Sequence, residues 1–220
     1  TTGSFDDIEL LQKSSPAELI TQYLLPVWRQ IMAADSAEQA LGIVGELQLL
    51  CATRSGLTGV EAINTLAAEM LEKAQITAAD AGFFAGLPLM ITRNDPNTDL
   101  ANGDTGLVWP DAEGRLSFYS NSGSGVVRSI ALARLPDHEP SFAMTVHKSQ
   151  GSEFDQVALL LPDTAGQAVS RELLYTAITR ARKRVVIASS ESVLASGIRQ
   201  RVQRASGLSA QLANVDEQHR

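Results

Sequence analysis

Two stretches of this 220-residue sequence gather more reactive side chains than packing requires. The first reads Thr145-Val146-His147-Lys148-Ser149-Gln150-Gly151-Ser152-Glu153-Phe154-Asp155. Hydroxyls, an imidazole, an ammonium, an amide and carboxylates follow an apolar run, and Gly151 lets the backbone turn or approach a ligand closely. Such a loop either binds something polar or satisfies itself as a strand-to-helix turn, and composition alone leaves both open. The second reads Leu174-Tyr175-Thr176-Ala177-Ile178-Thr179-Arg180-Ala181-Arg182. On a helical wheel Leu173, Leu174, Ala177, Ile178 and Ala181 form a buried stripe, with Arg180 roughly 90° from its centre. There the stem can pack while the guanidinium reaches a phosphate that develops charge in a transition state. A lone arginine at a helix edge serves equally well in a surface salt bridge.

These stretches need elements to hold them. Short apolar runs at 47–52, 87–92, 144–147, 157–161 and 185–188 alternate with amphipathic patterns at 60–73 and 171–183. That alternation predicts a parallel sheet with helices on both faces, which places ligands at the carboxyl ends of its strands. Upstream, Leu19, Ile20, Tyr23, Leu24, Val27 and Ile31 recur at helical spacing over 16–32, with Ser15 as N-cap and Pro16 at the first helical position. Trp28 in that helix reads as core rather than as a ligand platform. A second short helix is expected over 36–44. Residues 102–142 break the alternation: they are rich in Gly, Ser, Asp and Pro, with turn signals at Asn102-Gly103-Asp104 and Glu113-Gly114. A small antiparallel β insertion, leaning on the main domain, is expected there. The organisation is thus a helical lead-in at 1–44, an α/β domain at 45–101 and 143–205, the insertion at 102–142, and a disordered tail at 206–220.

Bulk properties narrow the classes. A net charge of −7 argues against a protein that coats nucleic acid by charge alone. It leaves room for a local basic track, and two clusters exist: Arg180, Arg182, Lys183, Arg184, and Arg199, Arg201, Arg204. The second reads as a solvated helix face. No apolar run approaches the ~18–20 residues that span a bilayer, so no membrane partner is expected. The single cysteine, Cys51, lies in an apolar run and reads as a buried side chain in a reducing cytoplasm. No carboxylate cluster has the spacing of a metal-dependent nuclease site, and no metal ligands are assigned. No lysine follows a glycine, so the phosphate-binding loop G-x-x-x-x-G-K-[ST] is not in this sequence.

Together the two stretches resemble motifs V and VI of superfamily 1 DNA helicases. His147-Lys148-Ser149-Gln150-Gly151-Ser152-Glu153 combined with Tyr175-Thr176-Ala177-Ile178-Thr179-Arg180-Ala181 resembles the RecD family, the alpha chains of exodeoxyribonuclease V. Pif-type and phage Dda-type helicases share the His-Lys-Ser-Gln-Gly core; Glu153 and Thr179-Arg180 favour the RecD branch. The likeness extends back through 50–56 and Gly59 to Asn64, which is similar to motif IV, and through 88–94 and 102–106.

What the resemblance implies is an α/β, RecA-like domain of P-loop NTPase type carrying a small SH3-like insertion. It implies that Thr145, His147 and Lys148, with Asn64 and Asn102, contact single-stranded DNA. Gly151, Glu153, Arg180 and Arg54 would face ATP, with Glu153 accepting from the ribose hydroxyl and Arg180 acting as the arginine finger. ATP and Mg²⁺ would be held mainly by an N-terminal RecA-like domain, so this chain alone is expected not to hydrolyse ATP. The implied activity is 5′-to-3′ DNA unwinding in double-strand-break repair and DNA degradation, with RecB-like and RecC-like subunits as partners. Two other readings stay open: a non-catalytic single-strand or partner-docking module, and the motor half of a relaxase-helicase.

Overall fold

The computed structural model describes residues 7–12, 14–74, 76, 82–121 and 126–201. The expected tail at 206–220, and Arg204, lie outside the described residues. Ten strands and five longer helical stretches can be followed along the described chain.

Five strands form a parallel sheet: β1 (Ile8–Leu11), β2 (Leu47–Cys51), β8 (Ala143–Thr145), β9 (Phe154–Leu160) and β10 (Ala181–Ala188), in the order β1-β10-β9-β2-β8. Successive side chains point to opposite faces, so each strand feeds two cores. Leu49, Cys51, Ala158, Leu160 and Val186 pack on one side with α1 (Pro16–Leu19), α2 (Leu25–Met32), α3 (Ala37–Val44) and α4 (Val60–Lys73). Leu50, Val157, Leu159, Val185 and Ile187 pack on the other with α5 (Arg171–Ile178) and α6 (Glu191–Arg199). This is the α/β, RecA-like arrangement, with helices on both faces.

The lead-in differs from a purely helical segment. Ile8–Leu11 is a strand on the edge of the parallel sheet, in register with Val185–Ala188. Four residues with mixed exposure carry too little periodicity to distinguish a strand from a loop. The helix predicted at 16–32 forms, and its start has the reciprocal Ser15–Glu18 capping box. It continues through a wide i→i+5 turn at Ile20–Leu24 into α2, where Pro26 stands and has no N–H to donate back. Trp28 is core: its Nε1 donates to the Gly86 carbonyl at 3.0 Å and its ring tilts against Phe142 at 5.0 Å between centroids.

The second sheet is antiparallel, in the order β6-β5-β4-β3-β7, formed by β3 (Pro88–Ile91), β4 (Thr105–Pro110), β5 (Leu116–Asn121), β6 (Val127–Ala131) and β7 (His138–Pro140). The run at 87–92, expected among the parallel strands, belongs here: β3 pairs antiparallel with β4 and β7. Buried on both sides, it reads as a continuous apolar run, and that pattern cannot tell which sheet receives it. The antiparallel sheet does lean on the main domain: Leu89, Leu107, Val108 and Phe118 share one core with α1 to α4.

The helix predicted at 171–183 is shorter. It is capped by Ser170, ends at Ile178, and gives way to β10 at Ala181. Ala181 is therefore a strand residue opposite Phe154, and Arg180 leaves the helix for the turn between α5 and β10.

Candidate functional site

The site is organised by one connection. Thr145 and Leu160 both pair with Cys51, so they lie level at the carboxyl ends of β8 and β9. Phe154, where β9 begins, stands six residues earlier, about 20 Å lower at ~3.3 Å per residue. Residues 146–153 must cross the height of the sheet, so the two ends of this loop address different surroundings. Ser149 pins its upper turn: it is fully buried, and its Oγ donates to the Val146 carbonyl at 2.8 Å. Gly151 turns the loop downward with φ +92°, a value that strains any side-chain-bearing residue.

At the carboxyl end, Thr145 and Lys148 line a cleft of about 540 Å³ with Arg54, Asn64 and Glu139. Lys148 Nζ is 2.7 Å from Glu139 Oε1, and Arg54 Nη2 is 3.8 Å from Glu139 Oε2. Arg54 Nε also donates to Glu61 at 3.0 Å, and Ser55 Oγ donates to the same carboxylate. The hydrogen bond to Glu61, and then the Glu139 charge, raise the Arg54 pKa further; the bonds from Arg54 and Ser55 lower that of Glu61. His147 lines a different cleft of about 680 Å³, with Gln150, with Ser170 at the start of α5 and with Thr176 near its end.

At the lower end the residues expected to face ATP converge. The Arg180 guanidinium donates to the carbonyls of Ser152 at 3.2 Å and Thr176 at 3.3 Å, and to Thr179 Oγ1 at 3.3 Å. These bonds use three of its five N–H donors. Its own carbonyl accepts from Phe154 N at 2.8 Å. Glu153 adjoins, exposed, with Oε2 accepting from Arg182 Nε at 3.2 Å. The basic cluster that includes Arg180 is a strand feature rather than a helix face. Arg182 pairs with Glu153, Lys183 with Asp155 at 2.7 Å, and Arg184 with Glu9 at 2.6 Å. Exposed pairs of this kind contribute about 0–1 kcal/mol each, and they neutralise Arg182, Lys183 and Arg184.

The structure thus brings Gly151, Glu153 and Arg180 together, and Thr145, Lys148, Arg54 and Asn64 together, at opposite ends of one loop. Arg54, assigned to ATP from the sequence, stands with the residues assigned to DNA. Asn64 is buried, and both polar atoms are engaged. Nδ2 donates to the carbonyls of Pro140 at 2.8 Å and Ala143 at 3.1 Å, and Oδ1 accepts from Ala143 N at 2.8 Å. Its amide therefore extends the open edge of β8 as a neighbouring strand would. Asn102 is exposed in a turn of the antiparallel sheet, its N–H donating to Asn94 Oδ1 at 2.7 Å. Among the described residues no hydrogen bond or ion pair joins it to the other site residues.

Three positions escaped the sequence reading. Gln48, the one amide within an apolar run, is buried and donates to the carbonyls of Leu49, Ser141 and Phe142. That polar interruption was its signal. Ser149 carried none beyond its place in the motif, and Glu139 carried none at all. Among the described residues no group of three His, Cys, Asp or Glu is placed to hold a metal ion, and no helix is long and apolar enough to cross a membrane.

Residues 140–188, which carry this loop together with α5 and β10, match the family described as the UvrD-like helicase C-terminal domain. The class is that of a helicase C-terminal, RecA-like domain. Among curated relatives, the RecBCD enzyme subunit RecD of Mycobacterium tuberculosis (strain ATCC 25618 / H37Rv) is 36% identical over 211 residues, 94% of this chain and 36% of the relative. That of Haemophilus influenzae is 37% identical over 172 residues, 77% of this chain and 26% of the relative. The chain belongs to the RecD family, as the C-terminal portion of its members, and spans between about a quarter and about a third of the length of these relatives. Among solved structures, a Bacteroides Pif1 helicase in complex with ADP-AlF3 and ssDNA is 17% identical with TM-score 0.47, over 94% of this chain and 55% of that one.

Proposed function

We propose that this chain is the C-terminal motor domain of an ATP-dependent DNA helicase subunit moving 5′ to 3′ on single-stranded DNA. It would act in an exodeoxyribonuclease V complex, with RecB-like and RecC-like subunits, in double-strand-break repair and DNA degradation. The observation that carries the reading is the crossing loop: at its upper end Thr145 and Lys148 stand with Arg54, and its lower residues stand against Arg180. In this reading Thr145 and Lys148 hold the sugar-phosphate backbone without reading sequence. His147 meets the same strand from the neighbouring cleft.

ATP occupies the boundary between this domain and an N-terminal RecA-like domain, which supplies the phosphate-binding loop and the Mg²⁺ ligands. The residues here suit one wall of such a site. Glu153 offers an exposed carboxylate to ribose hydroxyls. Gly151 keeps the loop low. Arg180, already oriented by Ser152 and Thr179, offers its remaining N–H groups to a phosphoryl group gaining charge, a contribution typically worth about 10³–10⁵ in rate. Because loop and arginine are hydrogen-bonded, movement of the strand at one end is felt at the other. The isolated chain does not turn over ATP.

The test uses the full-length parent. Arg180→Ala lowers ATP hydrolysis at saturating single-stranded DNA by about 10³ or more while nucleotide and DNA affinities hold. Arg180→Lys, which keeps the charge but not the fork, falls nearly as far. Unchanged hydrolysis in Arg180→Ala makes the arginine a structural brace and moves the docking-module reading to the front.

A further inference from the structure

The cations of the carboxyl-end cleft already have an anion. Glu139 lies between them, 2.7 Å from Lys148 and 3.8 Å from Arg54, with its side chain 24% exposed and that of Lys148 35% exposed. This pair is better shielded than Arg182 with Glu153 at the loop's other end, where both side chains are more than half exposed. Solvent screens it correspondingly less. Glu61, Glu69 and Glu72 of α4 line the same cleft, giving four carboxylates against Arg54 and Lys148. A polyanion is repelled there unless it takes a cation from a carboxylate.

We propose that Glu139 is an exchange anion for the DNA strand: it neutralises Lys148, with Arg54 close by, while the strand is released, and a backbone phosphate displaces it when the strand is gripped. This rests on the reading that the strand crosses this cleft. A motor that steps must let go in every cycle. Stripping a phosphate from the partly shielded Lys148 leaves that cation without an anion, whereas a carboxylate already at hand takes its place at little cost; the exposed Arg54 keeps Glu61 throughout. Grip is weakened, and release is eased by the same amount. The placement also joins the two sheets. Glu139 is carried by β7, opposite Met90 of β3 in the antiparallel sheet, while Lys148 follows β8 of the parallel one. A displacement of one sheet against the other changes the exchange.

The experiment is single-stranded DNA binding by the full-length parent across a salt series. Glu139→Gln removes the charge and keeps the size. Affinity at low salt rises by about three- to tenfold, as expected when one like charge is removed a few ångströms from a phosphate in a partly screened site. The gain shrinks as salt rises and is lost when Lys148→Ala is added. Glu139→Asp, which keeps the charge, stays close to the parent. Weaker or unchanged binding by Glu139→Gln overturns the exchange, because a carboxylate that merely positions the lysine would be missed. Lys148→Ala alone separates the two layers. If it weakens binding while Glu139→Gln brings no gain, only the exchange fails. If it leaves binding unchanged, the strand does not cross here and both readings fall.

Discussion

Asn64→Ala tests whether this residue holds DNA or holds the fold. The side chain makes three hydrogen bonds, and two of them satisfy the N–H and C=O of Ala143, which is itself buried. Both groups belong to β8, at the edge of the parallel sheet among the described residues, and face away from its partner β2. Truncation strands them. An unsatisfied buried backbone group costs about 1–3 kcal/mol. The third acceptor, the carbonyl of the exposed Pro140, can turn to water and adds little. Water entering from the adjoining cleft brings the remainder towards the low end, about 2–4 kcal/mol in all. For a chain of this length that lowers Tm by roughly 4–16 °C. Asn64→Asp is at least as damaging, because a second carboxylate oxygen then faces the carbonyls of Pro140 and Ala143. The assay is thermal unfolding followed by circular dichroism, with single-stranded DNA affinity measured on the folded protein. A Tm within a degree of the parent, together with lost DNA affinity, would refute the argument and return Asn64 to the strand.

Two further expectations are independent of any ligand. A Cβ at Gly106 of β4 would fall against the Tyr119 carbonyl and 2.6 Å from the Phe118 ring, so Gly106→Ala forces β4 and β5 apart. The expected loss is about 3 kcal/mol or more, read as a lower denaturant midpoint with faster amide exchange across that pair; an unchanged midpoint means the sheet spreads freely. Burial pushes the Cys51 thiol up to about 12, so native protein at pH 8 is not alkylated and unfolded protein is. A raised folded value also means that this thiol's contribution to stability is intact below its unfolded pKa, near 8.5. It is lost as pH climbs from there towards 12. Native labelling at the rate of a free thiol contradicts the buried assignment.

Much of this molecule is written locally. Ser15 ahead of Pro16 starts a helix because cap, proline and Glu18 act within one turn. The 60–73 helix declares itself by spacing. The two reactive stretches are legible because each is contiguous, and their joint likeness to motifs V and VI marks a RecD-type domain before any coordinate is known. What the sequence could not decide is who meets whom. Pro88–Ile91 reads as a buried strand for either sheet, because an apolar run records burial and not its partner. The wheel kept Arg180 in a helix that ends two residues earlier, where pairing with β9 takes over from helical propensity. Asn64 and Gln48 look like ordinary polar residues until the 140–143 segment, some eighty residues or more away in sequence, is laid against them. Glu139 becomes interesting only because β7 sets it beside Lys148 and Arg54. Side-chain type and local spacing fix the chemistry available; hydrogen-bond partners and opposing charges are contacts distant in sequence, and only the packed chain chooses them.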